Sequence, residues 1–158
     1  MRFAVFLDID GVLNTKTTVE GTPAGHTGID DARVDILAKV VRKYGNVDII
    51  LTSDWKDLRS DNADFRYLIS KLEKQGLKLA GKTTGNWSDR GEGILRYLEL
   101  HPEIDDFVIL DDHKFDFKDH RILWEKLLIT NGIERAEFAS QTPQIETIIF
   151  LDYIKAFS

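Results

Sequence analysis

The sequence predicts an α/β protein in which helices cover both faces of a mainly parallel sheet. Short apolar runs alternate with longer segments in which apolar residues recur at helical spacing. The first run, Phe3–Leu7, is apolar at every position, which is typical of a strand buried on both faces of a parallel sheet. Polar residues follow three of the runs. Because parallel strands end at the same edge of a sheet, these polar residues are expected to meet there.

The first elements follow the order strand, loop, helix and strand, which is that of a parallel crossover unit. After the strand at Phe3–Leu7, the polar stretch 15–29 predicts a loop or small flap. A helix is predicted over 30–44, because acidic residues occupy its first turn and Gly45 can end it. The next strand is predicted over 47–51.

Helices and strands continue to alternate towards the C-terminus. Helices are predicted over 63–74, 90–100, 122–126 and 143–157, and strands over 77–81, 107–110 and 127–129. Thr142 is the predicted N-cap of the closing helix, with Pro143 at its first position. That helix is expected to bury Ile145, Ile148, Ile149, Leu151, Ile154 and Phe157. The sequence contains no linker or repeat, and we therefore predict one domain over residues 1–158.

Composition and charge exclude several functional classes. The 21 basic and 27 acidic residues give a net charge of −6, so the surface as a whole does not attract nucleic acid or anionic membranes. The chain has no cysteine, which excludes disulfides and thiolate metal sites and fits a reducing compartment. We expect neither a signal peptide nor a membrane span, which needs about 20 apolar residues. The prediction is a cytoplasmic protein without membrane contacts.

Two carboxylates, Asp8 and Asp10, stand at the end of the first strand, and Gly11 follows them. Carboxylates this close repel each other and lose hydration when buried, so a cation is expected to compensate them. Mg²⁺ is the usual cation, since it prefers carboxylate and phosphate oxygens. Gly11 suits an unusual backbone angle or a close approach to a ligand. The alternative is a solvated turn, because Asp-Gly is a common turn dipeptide.

Other elements of the predicted sheet end or begin in polar groups of complementary chemistry. These groups are Thr52 and Ser53 after the second strand, Arg90 at a helix start, and Asp111 and Asp112 after the strand at 107–110. A doubly wound sheet brings such strand ends to one edge, where ligands bind. We therefore expect a single site there, built around the first pair of carboxylates.

In order along the chain, these groups resemble the four motifs of the haloacid dehalogenase-like (HAD) phosphohydrolases. The first motif matches residues 8–13, and the second matches Thr52, with Ser53 as the alternative. The third motif matches Arg90, and the fourth matches Asp111 and Asp112. The resemblance covers nearly the whole chain and implies a three-layer Rossmann-like sandwich that is capless or carries a small flap at 15–29. The strings Leu-Asp-Ile-Asp-Gly-Val-Leu-Asn, Leu-Thr-Ser-Asp-Trp and Ile-Leu-Asp-Asp are similar to the small HAD domains of multi-enzyme RNA-repair proteins.

The resemblance implies a phosphatase that works through an aspartyl-phosphate intermediate. Asp8 would be the nucleophile, and Asp10 would be the general acid and then the general base. The ligands of Mg²⁺ would be Asp8, Asp111, Asp112 and the main-chain carbonyl of Asp10. Thr52 and Arg90 would hold the phosphoryl oxygens. Further substrate contacts are predicted for Gly11, Ser53 and Trp55.

Several of these residues have a purely structural alternative. Thr52 could cap the following turn, Arg90 could pair with Asp89 or Glu92 at the surface, and Asp112 could cap a helix. Trp55 and Trp87 could stack a nucleobase or pack against the sheet edge. A local basic rim or a solvated surface of mixed charge could be formed by Lys56, Arg59, Lys82, Lys114, Lys118 and Arg121.

The expected substrate is a phosphorylated molecule, and three functions remain open at this stage. An open site without a large cap fits a phosphatase for an RNA or DNA end. A phosphatase for a small metabolite or nucleotide would use the flap to close over its substrate. A non-catalytic phosphate-binding module is the third function, although all four motifs are intact. The sequence does not indicate an oligomeric state.

Overall fold

A computed structural model describes residues 1–85 and 89–158 of the chain. The strands are β1 (Phe3–Leu7), β2 (Val47–Leu51), β3 (Leu79–Lys82), β4 (Asp106–Asp111), β5 (Leu127–Ile129) and β6 (Glu137–Phe138). The α-helices are α1 (Asp31–Tyr44), α2 (Ala63–Lys74), α3 (Arg90–Leu100) and α4 (Ile145–Phe157). Short 3-10 helices span Asp54–Asp57, Lys114–Phe117, Arg121–Lys126 and Ile133–Arg135. In the part of the chain so described, no helix has the length and apolarity to cross a membrane.

The strands form one sheet in the order β3-β2-β1-β4-β5-β6. All neighbours are parallel except β5 and β6, which are antiparallel. The central strand β1 pairs with β2 and β4, and its last residue, Leu7, lies opposite Leu51 and Leu110. This arrangement confirms the predicted α/β class and puts the ends of three strands side by side.

Residues of β1 alternate between the two apolar layers that cover the sheet. Phe3, Val5 and Leu7 belong to the layer formed with α1, α2 and α4. Ala4 and Phe6 belong to the layer formed with α3 and the 3-10 helices near it. All five side chains are buried, which is why the strand is apolar at every position rather than at every second one.

The closing helix differs from its prediction at both its start and its buried face. It begins at Ile145 with Gln144 as the N-cap, and Thr142 instead donates a hydrogen bond of 3.3 Å to Glu125. Ile145 and Ile148, predicted to be buried, are exposed. Phe150 is buried in their place, with its ring 6.2 Å from that of Phe3 and 5.5 Å from that of Tyr44. The helix therefore turns a different side towards α1 than apolarity alone indicated.

Smaller corrections concern short elements. β3 lies at Leu79–Lys82 instead of 77–81, because Leu77 closes the end of α2 with a 2.9 Å hydrogen bond from its N–H to the Leu72 carbonyl. The helix predicted at 122–126 is a 3-10 helix over Arg121–Lys126. Sequence analysis missed β6 and the other 3-10 helices, which are too short to show a periodic pattern.

Side chains of α2 hold the flap at 15–29, with Tyr67 and Lys71 at Glu20 and Asp64 at the tip. A bridge between Gly21 and Thr27 closes a small antiparallel loop. The buried carboxylate of Asp64 accepts hydrogen bonds of 2.9 Å from the Thr22 hydroxyl and from the Ala24 N–H. His26 Nδ1 lies 3.1 Å from the same carboxylate. One residue of α2 therefore fixes the tip of the flap.

Asp64→Ala is expected to lower the free energy of unfolding by about 2–3 kcal/mol, since the buried Thr22 hydroxyl and two partly buried donors lose a charged acceptor together. Urea unfolding at pH 7 measures this loss. Asp61→Ala is the matched control, because Asp61 is exposed and pairs with exposed Arg59, and its effect should stay within roughly 0.5 kcal/mol. Equal losses in the two variants would contradict the assigned role of Asp64.

The contribution of Asp64 should also depend on pH. Burial opposes ionisation of this carboxyl, but hydrogen bonds from His26, Ala24 and Thr22 outweigh burial and lower its pKa. A carboxyl whose pKa is lowered by folding stabilises the protein above its unfolded pKa of about 4, and this stabilisation fades as the pH falls through the folded pKa. The gap between wild type and Asp64→Ala should therefore be full at pH 7 and shrink below about pH 4.

Candidate active site

The ends of the three central strands meet at one edge of the sheet. Asp8 follows β1, Thr52 follows β2, and Asp111 is the last residue of β4. Backbone hydrogen bonds continue the ladder past the strands, from the Asp8 N–H to Leu110 at 3.0 Å and from the Thr52 N–H to Leu7 at 2.9 Å. The side chains that the sequence places at these ends therefore lie next to one another.

Arg90, the first residue of α3, points into this edge. Its Nη1 lies 3.0 Å from Asp8 Oδ2 and 2.6 Å from Asp111 Oδ2, and the residue is only 9% exposed. The alternative of a surface pair is wrong, because Glu92 pairs with Arg96 and Asp89 caps the helix. Arg90 thus contacts two buried carboxylates, but its single charge can balance only one of them.

An acidic cluster next to Arg90 is formed by Asp8, Asp111 and Asp112. One carboxylate oxygen from each lies within 4.8 Å of the others. Burial is the main cause that raises the pKa of Asp8 well above its ordinary value, and the neighbouring Asp111 adds to it. Burial likewise raises the pKa of Asp111 to about 6, although Arg90 opposes the change. Three converging carboxylates are a donor set that fits a hard divalent cation.

Gly11 is required by the shape of this cluster. Its φ of +85° lies in the left-handed region, and a Cβ added there would be 2.4 Å from Asp112 Oδ2. Its carbonyl accepts hydrogen bonds from the Thr130 hydroxyl at 2.7 Å and the Gly132 N–H at 2.8 Å. The glycine therefore lets Asp112 approach the loop after β1. Asp112 makes no helix-capping hydrogen bond within the described residues, so that alternative is not seen.

The carboxylate of Asp10 is not among the three that form the acidic cluster, and it is fixed by two donors. Asn14 Nδ2 donates to its Oδ1 at 2.9 Å, and Trp55 Nε1 donates to its Oδ2 at 3.2 Å. Asn14 also donates to the Gly28 carbonyl at 2.8 Å, which ties this carboxylate to the base of the flap. Sequence analysis gave Asn14 no role, because the residue lies in an irregular segment that no periodic pattern describes.

Two buried polar atoms of this edge have no hydrogen-bond partner. Among the described side chains, the only such atoms are Thr52 Oγ1 and Arg90 Nε. A buried donor without an acceptor lowers the free energy of unfolding by about 1–3 kcal/mol, so atoms of this kind, which we call orphan atoms, need an explanation. Both belong to residues predicted to hold phosphoryl oxygens. An anionic ligand at the strand ends would satisfy both.

Ser53 and Trp55 have structural contacts at the end of β2. Ser53 Oγ accepts a hydrogen bond of 3.3 Å from the Trp55 N–H and caps the 3-10 helix Asp54–Asp57, so the capping residue is not Thr52. Trp55 is 7% exposed and belongs to the larger apolar layer, so little of its surface is accessible. Trp87, the second predicted stacking residue, lies outside the described residues.

Two further acids near Arg90 were missed by sequence analysis. Asp54 Oδ1 is 3.6 Å from its Nη2, and Asp116 Oδ2 is 3.7 Å from its Nε. Both distances exceed a good hydrogen bond, so these acids contribute charge rather than a fixed contact. Asp116 lies on an unpredicted 3-10 helix, and only tertiary folding reveals its approach.

Four of the six residues considered for a local basic rim are buried or make local contacts. Lys82 and Lys114 donate to backbone carbonyls, and Lys56 is buried. Arg59 pairs with Asp61. Most of these cations therefore serve local structure.

Comparison with known families agrees with this geometry. A family model described as the HAD domain in Swiss Army Knife RNA repair proteins matches residues 4–134. The matched range runs from β1 into the last 3-10 helix and contains all residues assigned to the four motifs. No curated protein matches the chain. The family match confirms the resemblance predicted from the sequence.

Arg90→Gln is expected to destabilise the protein by about 3–5 kcal/mol in EDTA, because it leaves buried carboxylates without a counter-charge. Urea unfolding at pH 7 measures this loss. Arg96→Gln is the matched control: it lies on the same helix, but its pair with Glu92 is exposed, so it should cost less than about 1 kcal/mol. A loss in Arg90→Gln no larger than in the control would contradict the buried bridge.

Proposed function

The chain belongs to the family of HAD domains found in Swiss Army Knife RNA repair proteins, and from this premise we propose a Mg²⁺-dependent phosphomonoesterase that acts on a nucleic-acid end. The observation that carries the proposal is the pair of buried atoms without a described partner, Thr52 Oγ1 and Arg90 Nε, at the edge where the guanidinium of Arg90 also contacts Asp8. A phosphoryl group would supply acceptors for both. Such a group is what a nucleophilic carboxylate would attack.

In the first half of the proposed reaction, an oxygen of Asp8 attacks phosphorus and the bond from phosphorus to the ester oxygen breaks. Asp10 gives its proton to the departing alkoxide, so the first product leaves as an alcohol. Thr52 and Arg90 would hold the phosphoryl oxygens as negative charge redistributes. The product of this half is an aspartyl-phosphate on Asp8.

In the second half, Asp10 takes a proton from water, which attacks phosphorus and breaks the bond to Asp8. Inorganic phosphate leaves, and both carboxyl groups return to their starting states. The donors Asn14 and Trp55 would keep Asp10 in one orientation through both proton transfers. A fixed acid and base favours reaction because little rearrangement is needed at each step.

The acidic cluster supports the choice of metal. Asp8, Asp111 and Asp112 would hold Mg²⁺, together with the main-chain carbonyl of Asp10. When bound, the ion would neutralise charge on the phosphoryl oxygens and on the cluster itself. The raised pKa of Asp8 and Asp111 fits carboxylates that need a further cation besides Arg90.

The proposed reaction predicts phosphate release from a phosphorylated oligonucleotide that requires both Mg²⁺ and Asp8. Release should be measured on oligonucleotides with a 3′ or a 5′ phosphate and on mononucleotides, with Mg²⁺ or EDTA. Asp8→Asn should lower kcat by at least about 1,000-fold, because the amide is a poor nucleophile.

Asp57→Asn is the matched control for this test, since Asp57 is exposed at the end of a 3-10 helix. It should keep the activity of wild type. A preference for mononucleotides would favour the small-metabolite alternative. An absence of release from every substrate would leave the non-catalytic module as the better description.

Trp55→Phe is expected to lower kcat about tenfold with little change in KM, since loss of the indole donor frees one oxygen of Asp10 and costs roughly 1–1.5 kcal/mol. Steady-state kinetics on the preferred substrate measure the effect. Trp124→Phe is the control, because its indole donates only to the Phe117 carbonyl. A change confined to KM would indicate that Trp55 contacts substrate instead of orienting Asp10.

A further inference from the structure

We propose that a single-stranded nucleic-acid substrate leaves the active site through a cavity in which Lys16 and Arg135 bind phosphodiester groups next to the reacting end. This inference rests on the proposed function, because it extends the substrate of that same site. It assigns two residues to substrate binding that neither the motifs nor the predicted basic rim include.

Two cavities of similar size open on either side of Asp10. One has a volume of about 660 Å³, and we call it the Lys16 cavity. The other has a volume of about 680 Å³, and we call it the Trp55 cavity. Thr27 of the flap lines both, so the flap separates them. Substrate that reaches Asp10 can therefore extend in either of two directions.

Charge distinguishes the two cavities. The Trp55 cavity is lined by Asp10, Asp54 and Asp64, and its only basic group is the imidazole of His26. These acids repel a polyanion. Trp55 and Leu58 offer apolar surface there instead.

The Lys16 cavity is partly lined by cations that form no ion pair with another described residue. Lys16 and Arg135 are exposed and form no ion pair with any described residue, whereas Arg33 in the same lining is held by Glu134 and Asp30. Exposed cations attract phosphates by replacing their counterions. The lining of the Lys16 cavity also contains three acids, but one of them, Glu134, is paired with Arg33. The three acids of the Trp55 cavity have no lysine or arginine beside them in its described lining. Of the two cavities, the Lys16 cavity is therefore the one in which a phosphodiester strand meets cationic side chains.

Both cations are carried by backbone that is tied to the active site. Lys16 follows Thr15, whose N–H donates to the Thr18 hydroxyl at 2.9 Å. Arg135 ends a 3-10 helix that begins at Ile133, and the Ile133 N–H donates to the Val12 carbonyl at 2.8 Å. The first motif and the helix of Arg135 thus form one connected structure, which fixes where the base of each cation lies relative to the nucleophile.

The size of the Lys16 cavity limits the form of the strand. Its volume of about 660 Å³ lies within the range of sites for small ligands, roughly 300–1,000 Å³. Such a volume suits a short single-stranded segment. A duplex, whose major groove alone is about 12 Å wide, is larger than the ligands that a site of this volume encloses.

Binding of a fluorescent single-stranded oligonucleotide with a terminal phosphate tests the inference without relying on turnover. Anisotropy titrations with Mg²⁺ would use the full chain carrying Asp8→Asn, alone and combined with Lys16→Gln and Arg135→Gln. The double substitution should raise Kd on the order of tenfold at 0.1 M salt. It should also reduce the slope of log Kd against log salt by about 1.4, since each lost contact to a single strand removes about 0.7.

Lys78→Gln with Lys155→Gln is the matched control, because it removes the same charge from exposed positions outside both cavities. Its Kd and salt slope should remain close to those of the parent. Equal effects in the two double variants, or no oligonucleotide binding by the parent, would overturn the inference.

Phosphate release by wild type separates this inference from the proposed function. Wild type could release phosphate from oligonucleotides while Kd stays the same when Lys16 and Arg135 are replaced. That result would overturn the inference and leave the proposed function standing. Binding that depends on both residues, without release from any substrate, would support the inference as a strand-binding surface and overturn the proposed reaction.

Discussion

The bridge from Arg90 to Asp8 and Asp111 is the contact on which the rest of the site depends. Two carboxylates are buried at the ends of neighbouring strands, and without a cation their ionised forms would be strongly disfavoured. The position of Arg90 as the first residue of α3 follows from the crossover between β3 and β4. The order of the sheet, the helix start and the charge balance therefore constrain one another, so a change in one has to be compensated in the others.

Long periodic elements could be predicted from the sequence, and short ones could not. The bounds of β1, β2, β5 and α2 agree with the predictions, because apolar runs and capping residues mark them locally. The two-residue β6 has no such mark. Helical spacing identified α4 as a helix, but Ile148 is exposed because the packing of α1, and not apolarity alone, decides which side is buried. Local sequence patterns specify whether a segment is a helix or a strand, whereas the side that it buries depends on residues distant in the sequence.

The same distinction applies to the candidate site. Asp8, Thr52 and Asp111 could be predicted to converge, since each ends a strand and parallel strands end together. Asn14 and Asp116 could not, because their positions depend on the paths of irregular segments. Asn14 donates hydrogen bonds to both Asp10 and Gly28, and these contacts arise from tertiary folding and not from a periodic sequence pattern. Irregular segments contribute many residues of the site, and sequence patterns describe such segments least well.

The attachment of the flap bears on how the site selects its substrate. Gly28 at the base of the flap and the carboxylate of Asp10 share the amide of Asn14, while Asp64 holds the tip. A closing motion of the base would break the bond from Asn14 to Gly28 and so release the amide that also orients Asp10, the group assigned to both proposed proton transfers. A segment fixed at base and tip acts as a wall between the two cavities beside Asp10 rather than as a lid. Selection by such a wall depends on the charge and width of each opening, which are properties already present in the free protein.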